Sequence, residues 1–301
     1  MQADRPVFGI VLMLGFCVLA PMGDSIAKVL GSTMSMLQLL TVRFALQALL
    51  LLPIVIFTAR SLMMSRRLFR LTVLRTLLHI IGVGAMFLSL RYIPLADAIA
   101  IAFVMPFIML LLGKFVLDEQ VGKNRIMACL VGFLGTLLVI QPSFAEVGAP
   151  ALLPLIVAVD FALFMLVTRQ IAKDVDPISL QTVSGLIATL LLLGFFALAS
   201  PLALTDFTFA IPSAFEAWLL LALGVLGTSA HLLMTWSLRF APSATLAPMQ
   251  YLEIPSATVI GYLVFRDLPN GLAALGICIT IGAGLYVLYR EQQLERQAAN
   301  A

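Results

Sequence analysis

Long apolar runs, each closed by polar or helix-breaking residues, set the pattern of this chain. A helix rising 1.5 Å per residue needs about 20 mostly apolar residues to cross the hydrocarbon core of a bilayer. The runs predict ten spanning helices, near 7–28, 37–58, 71–91, 95–116, 124–141, 150–170, 180–200, 215–239, 243–264 and 272–289. The segments between them are too short for a separate water-soluble domain. A mean hydropathy of +1.10, with 62% hydrophobic and 11% charged residues, lies far from the average of soluble domains. The predicted fold class is therefore an all-α integral membrane protein. Arg5 and the apolar run after it also suit a cleaved signal peptide, but the run from Val7 towards Leu30 is longer than a signal's apolar core and reads as a first span.

The charges add orientation. Arg5, then Arg60, Arg66, Arg67 and Arg70, then Lys123 and Arg125, then Arg169 and Lys173, then Arg239, and finally Arg290 and Arg296 fall on one side of the alternating spans. Only Lys28, Arg91 and Arg266 fall on the other. Loops rich in Lys and Arg stay inside, so the expectation is a multi-pass inner-membrane protein with both termini cytoplasmic. The net charge of +3 is spread over the ends of apolar runs, which argues against a nucleic-acid partner. Cys17, Cys129 and Cys278 are far apart and each sits in an apolar run, as small packing residues do, without a disulfide or metal pattern. GVGA at 82–85 and GVLG at 224–227 lack the strand context of a phosphate loop. With no Walker lysine, HExxH or nucleophile triad, the reading is neither an enzyme nor a cofactor-binding or metal-binding protein.

An internal repeat organises the spans. SLRYIPLADAIAIAFVMPFIMLLLG at 89–113 returns as SLRFAPSATLAPMQYLEIPSATVIG at 237–261. Arg91 matches Arg239, Pro94 matches Pro242 and Phe103 matches Tyr251, all at an offset of 148 (239−91, 242−94, 251−103). That offset is five spans, an odd number, so the second copy is expected to insert upside down. The predicted domains are a first five-helix repeat at 1–145, an inverted second repeat at 146–290 and a cytoplasmic tail at 291–301. Opposed repeats of this kind are typical of secondary transporters.

The repeat carries packing signals as well. Ala128, Gly132 and Thr136 in the fifth span, and Gly276, Thr280 and Gly284 in the tenth, present small residues every fourth position. Such faces let helix backbones approach closely in lipid, either between the two halves of one chain or between monomers, so both monomer and homodimer remain open. Pro94 and Pro242 are expected to open helices, and Asp97, about a turn on, to cap the positive helix end there, with substrate contact as its alternative role. Pro106 and Pro255 fall inside apolar runs and mark either breaks beside a cavity or plain kinks.

Polar groups at membrane depth are the candidate chemistry, because a charge there costs at least about 2.5 kcal/mol. Asp160, Glu253 and His79 fall near the midplane, and His231 lies towards the cytoplasmic half. The two carboxylates can hold an ammonium group, carry a coupling proton or pair with a basic side chain. Gln250 shares a helical face with Glu253 if the ninth span is continuous, while Tyr251 points about 100° away. Trp236 can stack on a planar substrate or simply pack. Asp24, Lys28 and Arg43 are candidates for an ion pair or gate: Asp24 with Lys28 at i, i+4, or Asp24 with Arg43, which can instead hold a substrate carboxylate. Arg75 is expected to reach towards the cytoplasmic boundary.

These features together resemble the EamA-type branch of the drug/metabolite transporter superfamily over nearly the whole chain. The resemblance rests on the ten spans in two inverted halves, the repeated RYIPLADAIAIAFVMPFIMLLLG segment, the acidic turn Asp118-Glu119 with its echo Arg266-Asp267, and the glycine-rich last spans. It implies a secondary active transporter working by alternating access, whose first, third, fourth, sixth, eighth and ninth spans line a central cavity. The partners implied are a small polar or zwitterionic metabolite and the lipid bilayer, with protons as a candidate coupling ion. Export of amino acids or related metabolites is the leading expectation. Uptake of a planar vitamin or nucleoside-like metabolite, such as riboflavin or S-adenosylmethionine, is the alternative, and an intramembrane lipid-processing enzyme is the alternative of another class.

Overall fold

The computed structural model describes residues 5–116, 123–199, 209–241, 246 and 249–299. The acidic turn Asp118-Glu119 and Pro242 lie outside the described residues. Eleven α-helices follow one another among those described: α1 Pro6–Leu30, α2 Met36–Phe57, α3 Arg66–Ser89, α4 Leu95–Ala102, α5 Met105–Val116, α6 Lys123–Val147, α7 Leu153–Ile171, α8 Pro177–Ala199, α9 Ala214–Phe240, α10 Glu253–Phe265 and α11 Gly271–Ala299. A short 3₁₀ turn, Ala149–Leu152, precedes α7. The chain is thus an all-α, multi-pass membrane protein, with seven helices among the described residues long and apolar enough to cross a bilayer and three shorter apolar segments.

Local sequence explains where helices begin. Ser35 and Ser65 accept from the backbone N–H of Gln38 (3.2 Å) and Leu68 (3.3 Å), capping α2 and α3. Ser213 and Glu216 form a reciprocal capping box on α9. Pro94 is the N-cap of α4, but Asp97 caps nothing: its Oδ2 accepts from Ser143 Oγ of α6 at 3.2 Å.

The fourth and ninth spans are broken rather than bent. Each helix stops at a two-residue turn, Phe103-Val104 in one and Tyr251-Leu252 in the other, positions related by the same 148-residue offset (251−103). Pro106 and Pro255 then fall in the first turns of α5 and α10. A proline has no N–H to give and is tolerated in a first turn, where none is needed. The chain therefore breaks upstream of each proline instead of kinking at it.

Packing follows the repeat. The helix pairs in contact include α1 with α9, α3 with α7, α2 with α8, α4 with α10 and α6 with α11. Replacing every span by the one five further on turns the α1–α9 pair into α7–α3 and leaves the other three pairs unchanged. The contact pattern is therefore symmetric under exchange of the two halves. Where α6 meets α11, a Cβ on Gly276 would overlap the Gly135 carbonyl, and one on Gly135 would lie 2.6 Å from Thr280 Oγ1. Thr280 also donates towards the Gly132 carbonyl at 3.4 Å. The small-residue faces join the halves within one chain.

The two ends of the bundle are tied by charges. Lys28 reaches Asp267 Oδ2 at 3.5 Å and the Ile93 carbonyl at 3.2 Å. It pairs with Asp267 rather than with Asp24, because Arg266, at φ 60°, ends α10 in a left-handed turn that carries Asp267 towards α1. At the opposite end Arg60 pairs with Asp176, and Arg169 donates to the carbonyls of Leu238 (2.5 Å) and Ala241 (3.2 Å).

Candidate functional site

A cavity of about 100 Å³ lies where the two broken spans meet. Met105 and Glu253, the first residues of α5 and α10, both line it, so two helix N-termini border the space. Its other polar walls are Asp24 of α1, Arg43 of α2 and His231 of α9. Phe16, Phe87, Phe103 and Phe161 supply aromatic walls, and Phe16 and Phe161 are stacked with centroids 6.0 Å apart. Phe103 packs on Tyr251 across the two breaks at 5.3 Å. Broken helices around a protein-lined space are how a membrane protein tolerates exposed backbone polar groups at depth.

The break also redirects two expected site residues. Gln250 and Glu253 do not share a helical face, since the turn at Tyr251-Leu252 separates them. Gln250 is fully buried with Nε2 3.2 Å from Met165 Sδ, and Tyr251 is buried in the apolar cluster with Ile254 and Ile277. Neither lines the cavity. Trp236 is likewise outside it, packed against Leu51, Val55, Ile178 and Leu232 between α2, α8 and α9.

Arg43 is 4% exposed and makes no ion pair with Asp24 within 4 Å. Its Nη2 lies 3.5 Å from His79 Nε2, and its Nη1 has no partner. A Cβ on Gly227 would stand 2.7 Å from Arg43 Nε, so this glycine makes room for the guanidinium beside α9. His79 Nε2 is also 3.2 Å from His231 Nε2. Because Arg43 can only donate, His79 Nε2 is the acceptor of this trio and His231 Nε2 the donor. The proton of neutral His79 then sits on Nδ1, which has no partner, as has His231 Nδ1. Asp160 is buried beside Gly82 of α3 and does not line the cavity.

Arg75 does not reach the boundary. It is fully buried and donates to Thr168 Oγ1 (2.9 Å), Ser184 Oγ (3.1 Å), Thr235 Oγ1 (3.3 Å) and Gln181 Oε1 (3.4 Å), with its guanidinium 4.5 Å from the Phe164 ring centroid. It gathers α7, α8 and α9 onto α3 without a carboxylate partner. Removing it takes a donor from four acceptors but leaves few of these groups unbonded, because the Thr168 and Thr235 hydroxyls keep donating to the Phe164 (2.6 Å) and His231 (2.7 Å) carbonyls. Gln181 also keeps Gln47. Replacing a buried ion pair as a whole by apolar side chains of similar size is commonly neutral or stabilising by about 1–4 kcal/mol, and the destabilisation of removing one charge comes from the counter-charge left behind, which Arg75 does not have. Arg75→Met is therefore expected to keep or raise the unfolding temperature of the purified protein while transport falls; a strongly lowered unfolding temperature would contradict this reading of the network.

The sequence signals for the cavity were partly hidden. Phe16, Phe87 and Phe161 stand in apolar runs that many lipid-facing phenylalanines share, and only Phe161, next to Asp160, has a charged neighbour in the sequence to set it apart. Gly82 and Gly227 had a better signal, as glycines in helical runs three and four residues from His79 and His231.

The model of the EamA-like transporter family matches twice, over residues 7–141 and 149–290. The S-adenosylmethionine uptake transporter of Rickettsia prowazekii is 25% identical over 285 residues, 95% of this chain and 94% of that protein. The riboflavin transporter of Rhizobium johnstonii is 30% identical over 227 residues, 75% of this chain and 72% of that protein. A solved structure described only as "Crystal structure of protein" shares the fold, with a TM-score of 0.68 at 17% identity over 96% of this chain and 98% of its own. Two matches that together span almost the entire sequence show that the chain belongs to the EamA-like transporter family.

Proposed function

We propose that this transporter takes up a planar, nucleoside-like metabolite that carries a cationic centre, of the S-adenosylmethionine kind. The observation that carries the reading is the charge on the cavity wall: two carboxylates, Asp24 and Glu253, against one guanidinium, Arg43, among four phenylalanines. Charges facing a membrane cavity are costly unless matched. A substrate with one carboxylate and two positive groups on a flat ring system matches them, the carboxylate at Arg43, the cations at Asp24 and Glu253, and the ring on the aromatic walls. The names of the relatives support uptake of such a molecule over the amino-acid export expected from the sequence. Riboflavin, uncharged and planar, would use the aromatic walls but leave the acids unmatched.

In this reading the halves 1–145 and 146–290 insert in opposite senses and rock about the cavity, and the exchange-symmetric packing supports it. The charge distribution supports an inner-membrane setting with both termini cytoplasmic. Asp24, Arg43, His231 and Glu253 are the proposed contacts, and Lys28 with Asp267 closes one end. Thermal unfolding of the purified protein tests the substrate class. A ligand at 100 times its Kd stabilises by about 2.7 kcal/mol, so S-adenosylmethionine should raise the unfolding temperature, with riboflavin weaker and single amino acids without effect. Stabilisation by riboflavin or an amino acid alone would overturn the charge argument.

A further inference from the structure

We propose that Asp160 is a proton-binding site that couples transport to a proton gradient, separate from the substrate cavity and set in a polar ladder between α3 and α7. The inference rests on the chain being a transporter of the substrate class above. Three residues along α3 face three along α7 as rungs. Arg75 bonds Thr168 at 2.9 Å, His79 packs on Phe164 with ring centroids 4.9 Å apart, and Gly82 meets Asp160. A Cβ at position 82 would overlap Asp160 Oδ2, so the glycine exists in this packing to admit a carboxyl group.

That carboxyl group is 6% exposed, and its Oδ2 has no hydrogen-bond partner. A carboxyl group in such a place is stable only when it is protonated or when a cation matches its charge. Among the described residues the elements around it offer no fixed counter-ion. On α3, Arg75 is engaged with hydroxyls and Gln181, and His79 with Arg43 and His231. Asp97 on α4 holds Ser143, Cys17 on α1 donates to the Met249 carbonyl, and Arg169 on α7 itself is bound to the far end of α9. Asp24 and Glu253 belong to the cavity wall, which Asp160 does not join. Among the described residues no ion pair includes Asp160 and no cluster of metal-ligating side chains is present.

A proton on Oδ2 lets the α3–α7 interface stay closed against Gly82. Its loss leaves a bare charge there, so the closed packing becomes costly and the interface favours an arrangement that wets the carboxylate. The packing of α3 on α7 is the counterpart of α1 on α9, and a proton that biases one of the two biases the rocking of the halves. Gly82 and Val83 of α3 and Val157, Ala158 and Phe161 of α7 line the substrate cavity, so the proton site adjoins it although Asp160 itself is not part of the wall.

The test uses wild type and Asp160→Asn, which keeps shape without a titratable group, in proteoliposomes with S-adenosylmethionine. Two fluxes are compared: counterflow, which needs no net proton movement, and accumulation driven by an imposed pH difference. Accumulation is expected to fall at least tenfold more than counterflow in the variant, a bias of about 1.4 kcal/mol. Equal loss of both fluxes, accumulation at the wild-type level, or a wild type that ignores the pH difference or follows sodium instead would overturn the proposal. Absence of wild-type counterflow would sink the substrate reading alone. The proton site is then read without substrate, by infrared difference spectra of the purified protein between acid and neutral pH: a protonated-carboxyl band lost in Asp160→Asn supports it, and a spectrum unchanged by the substitution overturns it.

Discussion

Glu253→Gln is expected to weaken binding of a cationic, nucleoside-like substrate by about 10- to 100-fold. Glu253 is the first residue of α10 and lines the cavity, and a hydrogen bond to a charged partner contributes about 1.5–3 kcal/mol, each 1.4 kcal/mol being tenfold. The glutamine keeps the size of the side chain at a half-buried position, so the fold should be retained. An uncharged planar ligand should bind the variant as it binds wild type, because the aromatic walls are untouched. Glu253→Asp, which keeps the charge but shortens its reach, should fall between. Titration of each ligand by thermal shift or calorimetry reads all three. Equal weakening of charged and uncharged ligands would mean that Glu253 supports the cavity's shape rather than matching a charge.

The second large effect concerns the joint between the halves. Gly276→Val puts a branched side chain where even a Cβ overlaps the Gly135 carbonyl, with Val139 Cγ2 2.9 Å away on the same helix. Overpacking costs about 1–3 kcal/mol when side chains can yield, and here the obstacle is backbone. The expected loss is therefore at or above the upper end of that range, seen as a fall in unfolding temperature and in the yield of monodisperse protein. Gly282→Val in the same helix is the control, since nothing lies within 4 Å of an added Cβ there. If both variants behave alike, the close α6–α11 approach is not what holds the halves together.

The fold was legible because lipid imposes a simple rule. Twenty-residue apolar runs can only be helices, and an odd number of spans between copies of a repeat reverses the second copy. What failed were inferences that extended one regular helix through a break. Gln250 and Glu253 look like neighbours at i, i+3, and Asp24 and Lys28 at i, i+4. A two-residue turn removes the first relation, and the left-handed turn at Arg266, which offers Lys28 a better partner in Asp267, removes the second. Both depend on backbone geometry at a distance that spacing does not encode.

The candidate site was legible as a set of polar residues at depth but not as an arrangement. Glu253 and His231 line the cavity; Asp160 and His79 stand behind it on the α3–α7 interface. Which side of a helix faces the space depends on the rotation of each helix in the bundle. Hydrophobic periodicity reports that rotation poorly when both lipid and core are apolar. Arg75 shows the same limit: a long side chain near a predicted boundary looked free to reach water, yet four hydrogen-bonding partners from three other helices hold it inside.

Counterflow in proteoliposomes containing only the purified wild-type chain tests the central claim most directly. Vesicles preloaded with unlabelled S-adenosylmethionine should take up external labelled S-adenosylmethionine well above empty liposomes, and excess unlabelled riboflavin or amino acids should compete poorly. Labelled S-adenosylmethionine that stays outside, while a labelled amino acid or riboflavin exchanges freely, would contradict the account.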